Sequence, residues 1–423
     1  MSTSSATRDM LGRQQLTAVA EARAILLAAI AAIEPGSETV TLVDALDRVS
    51  CRDILAPEDL PNCDRSTMDG YAVIAADTFG ASQELPAYLE VTGEVLMGAS
   101  GAGSISRGNC YKIPTGGLLP DKSDGVVMLE HTVPIDDKLI EVVKGIGTGT
   151  NVIRKGDDIR TGALAIAKGQ LLRPQELGLL AGLGITDVEV YRRPCVGIVA
   201  TGDEIVEPGA PAPPGKIRNI NSTVLSALTR RHGSAAIDYG IVADNEAIFF
   251  STVEQAVAEN DMVLFSGGSS VGMRDLGEQA IARLAGPGIL VHGVALKPGK
   301  PALIGLSGNT PVFGLPGHPV SAMVCFDFFV KPALARLSGR SASPDELLPT
   351  VRARLKRNIN SAAGRLDVIR VQLTIEDDQV VAQPVLGRSG AISTLSRAHG
   401  FFLIAEDSQG CNIDESVEVY IYR

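Results

Sequence analysis

From Pro194 to about Leu337 the chain alternates short apolar runs with amphipathic segments, the pattern that most limits its fold. Runs at Cys195–Ala200, Ala236–Val242, Met262–Phe265, Leu290–Val294 and Pro311–Gly314 predict strands. Segments at Ser222–His232, Glu246–Ala258, Leu276–Ala285 and Val320–Leu337 predict helices. Repeated β-α units of this kind imply a parallel sheet covered on both faces. Three loops each follow a strand: Thr201–Glu204, Ser266–Gly272 and Gly314–Pro319. In an open parallel sheet all three land on the carboxyl edge, where ligands bind.

The flanking sequence differs. Leu16–Ile33 predicts a helix stopped by Pro35-Gly36, and Leu42–Val49 a second, shorter one. From Cys51 to Thr150, β-like runs at Ala87–Val95, Cys110–Pro114, Gly125–Leu129 and Leu139–Lys144 alternate with glycine-rich turns. A helix fits Pro174–Leu183, with Pro174 in its first turn. Beyond a linker at Ser338–Pro349 come short strands at Arg365–Ile375, Gln379–Pro384, Phe401–Ala405 and Val417–Tyr422. The expected architecture is a multidomain α/β plus β chain. A central doubly wound α/β domain with a parallel sheet spans 194–338, and a β-rich inserted domain spans 51–150. A mixed helical and turn link is formed by 1–50 and 151–193, and a small C-terminal β domain by 349–423.

Composition narrows the function. The 423 residues suffice for two to four domains, and 45% hydrophobic against 21% charged residues excludes global disorder. The longest apolar run, Ala24–Ile33, is about half of what a membrane span needs. Met1–Gln15 carries no apolar core of a secretory leader, so a cytoplasmic location is expected. A net charge of −11 with no basic block argues against nucleic acid, and any anion must meet locally gathered cations or N–H groups. Six cysteines without C-x-x-C read as reduced thiols, and five histidines in no paired spacing make a soft-metal site improbable. Any metal would be a hard ion on carboxylates.

Several segments carry chemistry. Glycines of Ser266–Gly272, among them Gly267 and Gly268 beside Ser269, let the backbone approach an oxyanion. Pro316 lies in the Gly314–Pro319 loop, and Pro319 suits the first turn of a helix that carries Ser321 and aims its positive end at the same place. Neither a Walker A lysine nor G-x-G-x-x-G is present, which disfavours a P-loop NTPase and a Rossmann dehydrogenase. Lys297-Pro-Gly-Lys300-Pro301 makes a stiff loop with two lysines, either an anion site or solvated surface. Asp275 either caps a helix or, with Glu204 or Asp244, holds Mg²⁺ beside a phosphate. By itself Asp69-Gly70 is the dipeptide of a hairpin turn, and neither Thr115-Gly116-Gly117 nor Gly156-Asp157-Asp158-Ile159 is distinguished alone.

Taken together, these segments resemble the molybdopterin molybdotransferase family of the MoeA type, also seen as the E domain of gephyrin. The resemblance runs from Leu16 to the C-terminus. It rests on Ala56-Pro-Glu-Asp-Leu-Pro61 leading into Ser66-Thr-Met-Asp-Gly-Tyr-Ala72, on Pro114-Thr-Gly116, on Arg154-Lys-Gly-Asp-Asp-Ile159 and on Thr201-Gly-Asp-Glu204. Ser266-Gly-Gly-Ser-Ser-Val-Gly272, Lys297-Pro-Gly-Lys-Pro301 and Gly314-Leu-Pro-Gly-His-Pro-Val-Ser321 complete it.

The resemblance implies insertion of molybdenum from molybdate into adenylylated molybdopterin, releasing AMP, with Mg²⁺ or a similar ion. It implies a homodimer whose shared active sites face the α/β domain of one chain to the β domain of the other, and possible contact with other cofactor-biosynthesis proteins. Asp69 matches its catalytic wall in the β domain, and Thr115 with Asp157 or Asp158 match further positions on that side. Glu204, Asp244 and Asp275 match the acidic positions opposite, Lys297 and Lys300 its ligand lysines, and Pro316 and Pro319 its proline loop. Three positions depart: His318 where Asn is usual, Asn219 where Asp is frequent, and a serine best aligned near Ser393. Asp69 would accept a proton or orient an oxyanion. An adenylyltransferase that charges the pterin with ATP, and a non-catalytic dimeric scaffold, are the alternatives.

Overall fold

The computed structural model describes residues 7–8, 15–98, 103–267, 271–340 and 349–422, those at 7, 8, 15 and 271–275 by backbone alone. Three six-stranded sheets organise the chain. The central one runs Ala235–Val242, Cys195–Thr201, Met262–Gly267, Thr310–Pro316, Leu303–Ser307, Pro287–His292. The first four strands are mutually parallel, but Leu303–Ser307 is antiparallel to both neighbours, so the sheet is mixed rather than wholly parallel. The extra strand comes from a hairpin: Ser307 faces Thr310 across Gly308-Asn309, with Gly308 at φ 55°.

Helices cover both faces, because alternate strand residues point to opposite sides. Val196, Ile198, Met262, Leu264, Phe313 and Leu315 pack with Leu225, Phe326 and Phe329 on one face. Val199, Val263, Phe265 and Val312 pack with Phe249, Val253 and Ile281 on the other. The Val19–Ala29 helix joins the first of these cores through Val19, Ala22 and Leu26, and so lies with the α/β sheet rather than with the link. Thr17 bridges to Val294 just ahead of it. The expected Val320–Leu337 helix is one rod in three parts: α-helix Pro319–Cys325, a π-helical turn Phe326–Val330 and α-helix Lys331–Leu337. Pro332, which has no N–H to give, follows the wide turn.

The chain steps from Cys195–Thr201 outward to Ala235–Val242, then back across to Met262–Gly267. The winding direction therefore reverses between the first and third of these strands, which opens a crevice at their carboxyl ends.

The β-rich domain orders its strands Thr132–Pro134, Leu139–Val142, Ala87–Glu94, Asn109–Ile113, Gly70–Val73, Gly125–Met128. The link pairs Ser37–Thr41 with Asp187–Tyr191 and packs Ala45, Ile166 and Leu172 against Leu180 of the Pro174–Gly182 helix. The C-terminal strands Leu366–Glu376, Gln379–Pro384, Thr350–Leu355, Ser416–Ile421 and Gly400–Ile404 close on themselves through the Leu366–Glu376 to Gly400–Ile404 pairing. Closure leaves them no open edge. The two-residue strand Leu296–Lys297 of the α/β domain adds to this sheet.

Candidate active site

Strand register assembles the ligand edge. Thr201 lies opposite Gly267, Gly267 opposite Pro316, and Thr201 opposite Val242 on its other side. The three loops read from the sequence thus leave the sheet side by side. Gly202 adopts φ 145°, and a Cβ there would sit 2.6 Å from Glu204 Oε2, so only glycine lets the half-buried glutamate fold back on the turn. The Asp244 carboxylate accepts from Thr201 Oγ1 and from the Asp203 N–H, each at 3.3 Å. The Asp244 N–H donates in return to Asp203 Oδ1 at 3.1 Å. Two loops from neighbouring strands are tied by this reciprocal pair, which leaves exposed carboxylate oxygens at the crevice.

Gly268 and Ser269 lie outside the described residues, as does the side chain of Asp275. The helix that carries Asp275 begins at Val271, four residues earlier, so Asp275 is not its cap. Among the described residues, no three His, Cys, Asp or Glu side chains gather as a metal cage. Asn219 accepts from the Ser222 N–H at 3.1 Å and donates to Ser222 Oγ at 2.9 Å, so both of its side-chain groups are spent on the first turn of the Asn221–Arg231 helix.

The proline loop is held from two sides. Asn221 Nδ2 donates to the Gly317 carbonyl at 3.0 Å from within the α/β domain. From the C-terminal domain, Ser389 Oγ lies 2.8 Å from Nδ1 of the exposed His318, and the Ser389 carbonyl accepts from the Val320 N–H at 3.1 Å. The serine that reaches this loop is therefore Ser389. Ser393 instead opens the one-turn helix Ser393–Ser396 and turns its carbonyl to Arg397. Pro316 is half-buried on the loop, whereas Pro319 and Ser321 are buried behind it.

Lys297 and Lys300 lie on the loop between strands Pro287–His292 and Leu303–Ser307, both of which have their ligand-edge ends there. Lys300 is exposed. Lys297 Nζ donates to Asp367 Oδ2 of the C-terminal domain at 2.6 Å, with the lysine half-exposed and the aspartate fully buried.

The β-rich domain makes a separate wall. Asp69 Oδ1 accepts from the Thr115 N–H at 2.7 Å and from Thr115 Oγ1 at 3.0 Å. These two donors, the backbone one first, hold the exposed Asp69 carboxyl below its ordinary value despite some desolvation. Asp69-Gly70 is not a hairpin turn. Gly70 opens the strand Gly70–Val73, paired on both sides, and a Cβ on it would lie 1.9 Å from the Val127 carbonyl oxygen. Ser66 and Gly116–Gly117 exchange backbone bonds, which brings Thr115 to Asp69, 46 residues away in the chain. Asp157 and Asp158 are exposed on the next turn, reached from Arg65–Ser66 through Val152–Ile153. Asp157 Oδ2 accepts from the Arg154 N–H at 2.8 Å, which braces its own turn. Asp59, within the Ala56–Pro61 motif, and Asp64, which no motif marks, hold that turn by accepting from Thr161 and Lys155 N–H groups respectively, each at 2.8 Å. Among the described residues no hydrogen bond or ion pair joins this wall to the α/β edge.

Comparison with known proteins bears on all of these regions. Residues 17–184 match the MoeA N-terminal region (domains I and II), 197–336 a probable molybdopterin binding domain, and 352–422 the MoeA C-terminal region (domain IV). The molybdopterin molybdenumtransferase of Haemophilus influenzae is 32% identical over 90% of this chain and 93% of its own. A protein of Methanocaldococcus jannaschii named for molybdopterin biosynthesis is 36% identical over 91% of this chain and 92% of its own. The crystal structure of the molybdopterin biosynthesis MoeA protein of Pyrococcus horikoshii OT3 superposes with a TM-score of 0.83 at 33% identity, covering 96% of this chain and all of that one.

Proposed function

The chain belongs to the MoeA family, and from that premise we propose that it is a molybdopterin molybdenumtransferase, which inserts molybdenum from molybdate into adenylylated molybdopterin and releases AMP. The observation that carries this reading for the chain itself is the register of Thr201, Gly267 and Pro316. It sets three backbone loops in one row at the sheet's carboxyl edge, beside a lysine loop. Such an edge suits a ligand that brings phosphate and pterin together, with N–H groups for the oxyanions and Lys297 and Lys300 for the charge.

The acids fit a hard divalent cation, since every side-chain donor they offer at the crevice is an oxygen. Glu204 and Asp244, with Asp275, would hold Mg²⁺. Bound there, the ion would offset the repulsion between molybdate and the anionic pterin and polarise the phosphoanhydride. Asp69, kept ionised by Thr115, is suited to accept a proton or orient an oxyanion and is unsuited to donate a proton near neutrality. Asp157 and Asp158 would extend that wall. Because no hydrogen bond among the described residues joins the two walls within a chain, a dimer in which each site takes one wall from each protomer fits them best.

The test is incubation with adenylylated molybdopterin, Mg²⁺ and molybdate. Stoichiometric AMP release with molybdenum in the product is expected. ATP consumption on plain molybdopterin would show an adenylyltransferase instead, and neither reaction would leave the scaffold reading.

A further inference from the structure

The ion pair between Lys297 and Asp367 crosses the boundary between the α/β and C-terminal domains, and its setting is uneven. Asp367 has no exposed surface, whereas Lys297 is 45% exposed. Asp367 Oδ2 takes two donors, Lys297 Nζ at 2.6 Å and Ser361 Oγ at 2.9 Å. Its other oxygen lies 3.4 Å from Nε of the partly exposed Arg365 and takes no hydrogen bond. The backbone fixes the arrangement as well. Lys297 and Asp367 are register partners in a parallel ladder, and the Leu366 N–H donates to the Ala295 carbonyl at 2.8 Å.

A buried carboxylate needs compensating charge, so it holds its cations firmly. Here it gathers two cations that remain partly open to solvent. One negative charge against Lys297 and Arg365 leaves one positive charge over. An ammonium has three donors, and Lys297 spends one of them on Asp367.

We propose that Asp367 is a positioning residue, which acts through Lys297 and with Arg365 presents an oriented pair of cations to the anionic part of the substrate. This rests on the reading of the α/β edge as the ligand site. It gives the C-terminal domain a task beyond packing: a buried acid there sets the aim of a lysine on the neighbouring domain.

The direction of the effect separates this role from a plain field effect. Removing a buried negative charge near an anion site would, by field alone, tighten anion binding. Loss of positioning would weaken it. The experiment measures binding of adenylylated molybdopterin by calorimetry in the absence of molybdate, and its KM against kcat for AMP release, in Asp367→Asn, Lys297→Met and the double variant. Expected are a KM for adenylylated molybdopterin raised about tenfold in Asp367→Asn with kcat nearly kept, and little further loss when Asp367→Asn is added to Lys297→Met. A lowered KM, or full additivity in the double variant, would overturn the proposal. Wild-type binding by Lys297→Met would instead refute the ligand edge itself. Should Asp367→Asn fail to fold, Ser361→Ala loosens the same carboxylate. Its smaller rise in KM must likewise vanish on the Lys297→Met background, and a rise that persists there would overturn the proposal too.

Discussion

Asp69 takes two hydrogen bonds from one residue, so Thr115 supplies both of the contacts that favour its ionised form. Thr115→Val keeps the backbone donor and removes the hydroxyl. The Asp69 carboxyl should then titrate higher, as followed by carbonyl chemical shift, and AMP release should fall. An unchanged titration would remove the hydroxyl from that role. In linkage terms a depressed folded value contributes stability above the unfolded value of 3.8, and this is lost as pH falls through the folded value. His318 offers a second residue-scale test. Its contact with Ser389 uses Nδ1, a position an asparagine amide reaches and a glutamine amide overshoots. His318→Asn should therefore keep the substrate KM, whereas His318→Gln and His318→Ala should raise it about threefold to tenfold, the loss of one net hydrogen bond. Equal effects of Asn and Gln would exclude the Nδ1 contact. At this scale the sequence shows Asp69 and the lysines only as types in motifs. That Thr115 serves Asp69, that Ser389 rather than Ser393 meets the loop, and that Asp367 claims Lys297 all depend on pairings across 46 to 71 residues, which no local spacing reveals.

The Asn221–Arg231 helix ends in Arg230 and Arg231, where cations suit the helix dipole, but the next residue goes against that trend. His232 is half-buried and stacks on Phe326 at 5.9 Å between ring centres. Burial first, then the nearby Lys331, Arg340 and Arg231, push its value down from 6.5 to about 4. The unfolded chain therefore takes up the proton first as pH falls. Stability is full above about 6.5 and erodes down to about 4, at about 1.4 kcal/mol per pH unit from this group. His232→Gln should flatten melting temperature against pH across that window, and a parallel slope in variant and wild type would count against it. Element type was well marked by apolar period in the α/β domain, since helices and strands there bury a regular face. Two features escaped. The Leu303–Ser307 strand was signalled by Gly308-Asn309 between apolar runs, a hairpin dipeptide hidden by the stronger β-α rhythm around it. The π turn at Phe326–Val330 keeps a helical face of apolar residues, so period alone cannot distinguish it from α-helix.

At the scale of the whole molecule, the two walls of the proposed site belong to segments that the chain visits more than a hundred residues apart, Asp69 on one and Asp275 on the other. The shared-site proposal has a direct test in mixed dimers. Asp69→Ala and Asp275→Ala dimers, each inactive, should regain activity when their subunits exchange. Random exchange makes about half heterodimers, each with one site holding both acids, so recovery should approach about a quarter of wild type per site. Verified heterodimers without activity would place each site within one chain. The multidomain mix of sheets and helices was legible because composition and rhythm change sharply along the chain, at Cys51, Pro194 and Ser338. The attachment of Val19–Ala29 was not, since an amphipathic helix declares that it has a buried face and not what covers it.

That attachment governs how the protein must be made. Val19, Ala22, Leu26 and Ile30 find their cover on strands and a helix between Val196 and Leu337. At synthesis rates of about 5–20 residues per second, the apolar face waits on the order of 15–60 seconds after leaving the ribosome for its last partner. Meanwhile the β-rich domain, all of whose sheet strands fall between Gly70 and Val142, is free to fold on its own. The nascent chain thus carries a finished domain and an uncovered greasy helix at once, which makes Val19–Ala29 the segment where a chaperone would be expected to hold it.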